Sequence, residues 1–121
     1  MNLKLSKPIF IENSKIPIWL SYIAPINISA ITLGPIVLSR TELSDQTKNH
    51  ETIHWQQYID CLIIGFPILY LLYWLWGLAK YRGDGTLAYA QIPFEQEAYQ
   101  NDDNWVYLLN RKRYNWLKYK V

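Results

Sequence analysis

Cysteine is almost missing from this chain. Cys61 stands alone among 121 residues, which excludes a disulfide within the chain and a cysteine-rich zinc module. Histidine is nearly as scarce, with only His50 and His54. Strong net charge is absent too: twelve Lys and Arg against ten Asp and Glu leave +2, so bulk charge gives no reason to expect a polyanion-binding protein. The low hydrophobicity of disordered chains is also lacking. Half the residues are hydrophobic and 16% are aromatic, enough buried apolar surface to offset the entropy of ordering. The length suits one domain with one modest core. Lys4 and Lys7 open the chain, but Glu12 and Lys15 cut the apolar run short and no small-residue cleavage site follows. No signal peptide is expected, and the expected location is membrane-associated or cytoplasmic.

Two local absences carry more. Residues 61–79 contain no charge, and residues 111–121 contain no acid while holding Arg111, Lys112, Arg113, Lys118 and Lys120. Trp and Tyr are interleaved with these bases, a pattern that suits lipid headgroups or nucleic acid, or a solvated helix end.

Along the chain, residues 1–40 read as extended. Ile16–Leu20 and Ile26–Leu38 are rich in β-branched residues, and Pro25, Gly34 and Pro35 punctuate them as strand ends or edges. Residues 41–48 carry helix-start chemistry, with Ser44 or Thr47 as N-cap, and a helix is expected through His50, His54 and Tyr58. Gly65-Phe66-Pro67 is expected to break the apolar stretch into a helical hairpin. Arg82 to Thr86 reads as a glycine turn, Pro93 as the first position of a helix over residues 94–100, and residues 101–104 as the start of a basic C-terminal helix. The fold class is therefore α+β, mostly helical: short N-terminal strands, then helices, in one domain over residues 1–121.

The chemistry concentrates in His50-Glu51-Thr52-Ile53-His54. Histidines four apart on a helix project from one face, so both imidazoles can reach one zinc ion. The intervening glutamate can take a proton from an attacking water. Both histidines of the chain fall in this one motif, which chance rarely arranges. No histidine remains for a third ligand, so it must be an acid: Asp60, Asp84, Glu95, Glu97, Asp102 or Asp103. Glu95 and Glu97 share the short helix after Pro93 and lie about 200° apart around it, so only one can face the ion.

With Glu95-x-x-Ala98-Tyr99 far downstream of His50-Glu51-x-x-His54, the chain resembles the gluzincin metallopeptidases. Their second helix carries Glu-x-x-x-Asp or Glu-x-x-Ala-Asp. The resemblance implies a minimal zincin-like fold with Glu95 as ligand, and it puts Tyr99 where an aspartate would orient a ligand histidine. The pairing of Asn49-His50-Glu51-x-Ile53-His54 and Gln56-Gln57 with Phe94-Glu95-x-Glu97-Ala98-Tyr99 is also similar to small HExxH proteins of bacteria and phages whose function is not known. There both glutamates recur, and Glu97 stays open as the alternative ligand.

The expectation is a zinc metallopeptidase that binds one zinc through His50, His54 and Glu95, with Glu51 as general base and a peptide or protein as substrate. Tyr99 and Gln57 are candidates for transition-state or outer-layer roles, and Tyr89, Tyr107 and Gln56 stand unranked beside them. The strands at residues 26–38 could offer an edge to an extended peptide. A membrane-associated protein is expected, touching lipid through 61–79 and 111–121, while nucleic acid is disfavoured as a partner. The uncharged stretch is long enough to span a bilayer, yet a span would separate His54 from Glu95. A partner chain completing the cleft and a non-catalytic zinc staple are the alternatives.

Overall fold

The computed structural model describes residues 7–23 and 29–121, so Pro25 and Ile26 lie outside the described residues. The fold is mostly helical with one small sheet, as composition and pattern predict. Strands β1 (Ile9–Ile11), β2 (Ala30–Leu33) and β3 (Ile36–Ser39) form a sheet in the order β1-β3-β2. β1 runs parallel to β3 with Ile9 opposite Ile36, and β2 runs antiparallel to it with Leu33 opposite Ile36. The loop between β2 and β3 is only Gly34-Pro35, and Gly34 supplies the left-handed backbone (φ 62°) that so tight a reversal needs.

Residues 16–20, expected as strand, begin helix α1 (Ile16–Ile23) instead. The β-branched composition misleads here because the end chemistry is helical. The Ser14 hydroxyl accepts the Ile16 N–H at 3.2 Å. Pro17 falls in the first turn, where its missing N–H leaves nothing unpaired.

Helix α2 (Asp45–Asp60) starts at Ser44, whose hydroxyl accepts the Thr47 N–H at 3.1 Å, and Asp45 favours the positive end of the helix dipole. It is unusual in being buried and polar at once. His50, Glu51, His54, Gln56, Gln57 and Asp60 are all enclosed, and each such group needs a partner to be tolerated there.

The chain turns sharply at Cys61–Ile64, where Leu62 (φ 57°) and Ile63 (φ 68°) take left-handed backbone, and α3 (Gly65–Lys80) leaves at 108° to α2. The break thus precedes Gly65-Phe66-Pro67 and is not made by it. Pro67 sits in the first turn of α3, where proline is harmless, so the apolar stretch is one helix and no hairpin forms within it. Among the described residues no single helix is long and apolar enough to cross a membrane.

The return is made by α4 (Gly85–Ala90), after a turn in which Gly83 has φ 85°. α4 packs on α3 at Gly77, where a Cβ would lie 2.9 Å from that of Ala88. Helix α5 (Pro93–Asn101) follows, with proline at its first position as expected. The predicted basic C-terminal helix does not form. α6 (Tyr107–Asn110) is a single turn, Trp105 and Leu109 are exposed, and Tyr114 (φ 64°) redirects the chain into a 3₁₀ turn, Asn115–Lys118. The cause is Arg111, which is drawn inward by two buried carboxylates and breaks the helical path.

The core is aromatic. Phe66 stacks on Tyr58 at 4.1 Å between ring centroids and meets Phe94 at 4.5 Å, and Trp116 closes on Phe94 at 4.6 Å. This cluster fixes α3, α5 and the C-terminal turn against α2.

Candidate metal centre

His50 and His54 lie one turn apart on α2, and α5 packs across that face. It delivers Glu95, whose Oε1 is 3.2 Å from the Nε2 of each histidine. One ligand atom from each of the three buried residues lies within 4.8 Å of the others. Ligands about 2.0–2.1 Å from a tetrahedral zinc stand about 3.3 Å apart, so the observed separations match two edges of such a site. His50, His54 and Glu95 could therefore hold a metal ion, and the donor set of two imidazoles and a carboxylate suits zinc.

A second layer sets the tautomers. Gln57 donates its amide N–H groups to the Phe94 carbonyl (3.0 Å) and Glu97 Oε1 (2.8 Å). Its own Oε1 must then face His54 Nδ1, 2.7 Å away, and accepts that ring's proton. His54 Nε2 is left facing Glu95, the ring atom a bound ion would take in place of a proton. Asp102 does the same for His50, accepting from Nδ1 at 3.0 Å. Asp102 is itself held by Gln46, which donates to its Oδ1 at 2.9 Å. Asn49 donates to the backbone carbonyls of Asp102 and Asn104 at 2.9 and 3.2 Å, fixing the loop that carries this aspartate. The histidine-orienting role that the resemblance assigns to the position of Tyr99 is thus taken by Asp102. Tyr99 instead sets its ring 4.4 Å from that of His50 and pairs its hydroxyl with Tyr89 at 3.0 Å.

The electrostatics follow from burial and partners. Burial alone would lower the His54 pKa, but the adjoining Glu95 carboxylate outweighs it and holds the group up at about 9. Burial would raise Glu95, yet His54 and His50 keep it well below the usual carboxylate range. The Tyr70 hydroxyl donates to Glu95 Oε2 at 2.7 Å, a contact that sequence patterning could not single out from the aromatic stretch around it.

Glu97 faces away from the histidines. Fully buried, it takes Arg111 Nε at 2.6 Å, Arg111 Nη2 at 3.1 Å and the Tyr107 hydroxyl at 2.5 Å. Arg111 also donates to Asp60 Oδ2 at 2.7 Å. Of the two glutamates, only Glu95 faces the imidazoles. Tyr107 is occupied on the Glu97 side, and Asp60 is spent on Arg111.

Glu51 adjoins the ligands, and Thr32 on β2 donates to its Oε2 at 2.6 Å. Thr32 is held in turn through its carbonyl, which accepts from Tyr58 at 2.8 Å. Above these groups opens a cleft of about 710 Å³ between β2, α2 and α3, with Tyr89 and Tyr99 on its wall. Desolvation pushes both phenols above their ordinary range, so they remain protonated donors. Compared with protein-family models, curated proteins and solved structures, the chain matches none.

Proposed function

We propose that this chain is a zinc-dependent hydrolase of peptide bonds, gluzincin-like in its ligand set, with Glu51 as general base. The observation that carries the reading is the convergence of His50, His54 and Glu95, with ligand atoms within 4.8 Å of one another, beside a carboxylate that is not needed as a ligand, all beneath an open cleft. Bound there, zinc would supply Lewis acidity toward a water and a carbonyl oxygen. Glu51 would accept a proton from the attacking water and deliver it to the leaving amine. The Thr32 hydroxyl steadies the carboxylate at the cleft wall. Gln57 and Asp102 engage the two Nδ1 atoms and so turn both Nε2 atoms toward the ion's place, and Tyr70 keeps Glu95 from rotating. β2 is an edge strand that borders the cleft, so an extended peptide can align beside it. Tyr99 or Tyr89, paired with each other on the cleft wall, would donate to a developing oxyanion.

The test counts bound metal by native mass spectrometry and follows cleavage of a fluorogenic peptide library. Wild type and Glu51→Gln should each carry one zinc, lost in His54→Ala and Glu95→Ala and retained in folded Glu97→Gln. Cleavage should drop at least about 100-fold in Glu51→Gln. Full activity in Glu51→Gln would remove the general base, and a zinc-loaded protein inert toward every peptide would leave a non-catalytic zinc site.

A further inference from the structure

We propose that the exposed face of α3 lies in the headgroup–acyl boundary of an anionic bilayer, with the cleft mouth at that surface, so that the substrate is a polypeptide segment held at the membrane. The substrate class rests on the hydrolase reading, whereas the bilayer seat stands by itself.

Ile64, Ile68, Leu71, Leu72, Leu75 and Trp76 are each at least 47% exposed. At 100° per residue they fall within an arc of about 140° on one side of α3. Phe66, Tyr70, Tyr73 and Gly77 occupy the opposite side, against the core. A contiguous apolar face of this extent marks an interaction surface. Sixteen residues make a helix about 24 Å long, short of the roughly 30 Å hydrocarbon core, so α3 suits lying in one leaflet and not spanning two.

Charge decides what covers the face. Lys80 ends α3 and donates to the Val121 carbonyl at 2.7 Å, which brings the C-terminal Lys118 and Lys120 to the same end as Arg82. Lys80 lies over the Tyr81 ring and Lys118 over the Tyr119 ring at 5.5 and 5.3 Å, pairing cations with rings as interfacial anchors do. The nearby Asp84 is engaged in capping α4, accepting the Leu87 N–H at 3.0 Å. A second copy of α3 carries no acid to meet these bases, whereas anionic headgroups complement them.

The cleft shares this surface. Leu71 belongs to the exposed stripe and also lines the cleft, and Leu33 on β2, 46% exposed, stands on the strand side. A chain entering between them comes from the plane in which α3 would lie.

The test is sedimentation with vesicles of equal parts phosphatidylcholine and phosphatidylglycerol, and with phosphatidylcholine alone. Wild type should partition onto the anionic vesicles and lose most binding in high salt. Leu72→Glu/Trp76→Glu, at exposed positions outside the cleft, should keep its zinc and its circular dichroism spectrum and bind at least about 100-fold more weakly. A lipid-anchored peptide should be cleaved faster than its soluble counterpart by wild type but not by this variant. Equal binding by the variant, or a concentration-dependent dimer that the double substitution dissociates and that ignores vesicles, would overturn the proposal. Cleavage of soluble peptides without vesicle binding would overturn it while sparing the hydrolase. Vesicle binding with no cleavage of either peptide would establish the seat and overturn the substrate class together with the hydrolase.

Discussion

Arg111→Met puts the interior electrostatics to a direct test. Arg111 is 7% exposed, and its guanidinium donates to Glu97 and Asp60, themselves 0% and 5% exposed. Methionine fills much of the same volume but leaves two buried carboxylates short of their cation. Gln57 and Tyr107 still donate to Glu97, and the Tyr114 N–H still donates to Asp60 at 3.0 Å, so the loss is partial. Breaking a buried pair by removing one partner costs about 3–5 kcal/mol, against a total stability of roughly 6–18 kcal/mol for a chain this long. With a urea slope of about 2 kcal/mol per molar, the unfolding midpoint should fall by about 2 M. Adding Glu97→Gln removes one stranded charge, so the second change should cost far less in the Arg111→Met background than in wild type. A coupling of about 2 kcal/mol or more is expected. Urea titration followed by tryptophan fluorescence measures all four corners of the cycle. A loss below about 1 kcal/mol, or strictly additive effects, would refute the claim that Arg111 is held by these charges.

Gln57→Leu and Asp102→Ala should each weaken zinc binding by about 10–100-fold in the folded protein, measured by chelator competition, because each frees a ligand imidazole to rotate or change tautomer. Unchanged affinity in both would show that the outer layer does not orient the histidines. Gly77→Ala gains about 1 kcal/mol of helix propensity but drives a Cβ to 2.9 Å from Ala88, so a net loss of about 1 kcal/mol and a Tm lower by about 3–6 °C is expected. An unchanged or higher Tm would mean that α3 and α4 separate easily. Burial and the neighbouring Asp60 push the Cys61 thiol up to about 11. Iodoacetamide should thus alkylate it roughly 100-fold more slowly than a free thiol at pH 8, with the rate still climbing at pH 10. A plateau near pH 9 would contradict this.

The HExxH helix is readable in the sequence because helical periodicity alone puts His50 and His54 on one face, and Ser44 marks where that helix starts. The choice between Glu95 and Glu97 is not readable from spacing. It depends on which face of α5 meets α2, and that is fixed by Arg111, a residue local patterning assigns to a solvated basic tail. Asp102 is recognisable only as one acid among six, since its contact with His50 closes over 52 positions. The α1 helix escapes prediction because β-branched side chains outweigh a cap of two residues. The corner before α3 escapes it because neither Leu62 nor Ile63 is a type associated with left-handed backbone.

That corner sets an order of events. Each left-handed residue costs about 1–2 kcal/mol relative to helical backbone, and the strain is offset only when Phe66 has reached Tyr58 and Phe94. Before those rings meet, the locally cheaper path is a straight rod running from Asp45 to Lys80, about 54 Å long, which sets Lys80 about 39 Å from His54. Bending of the rod at Leu62 and Ile63 is therefore expected to accompany assembly of the site.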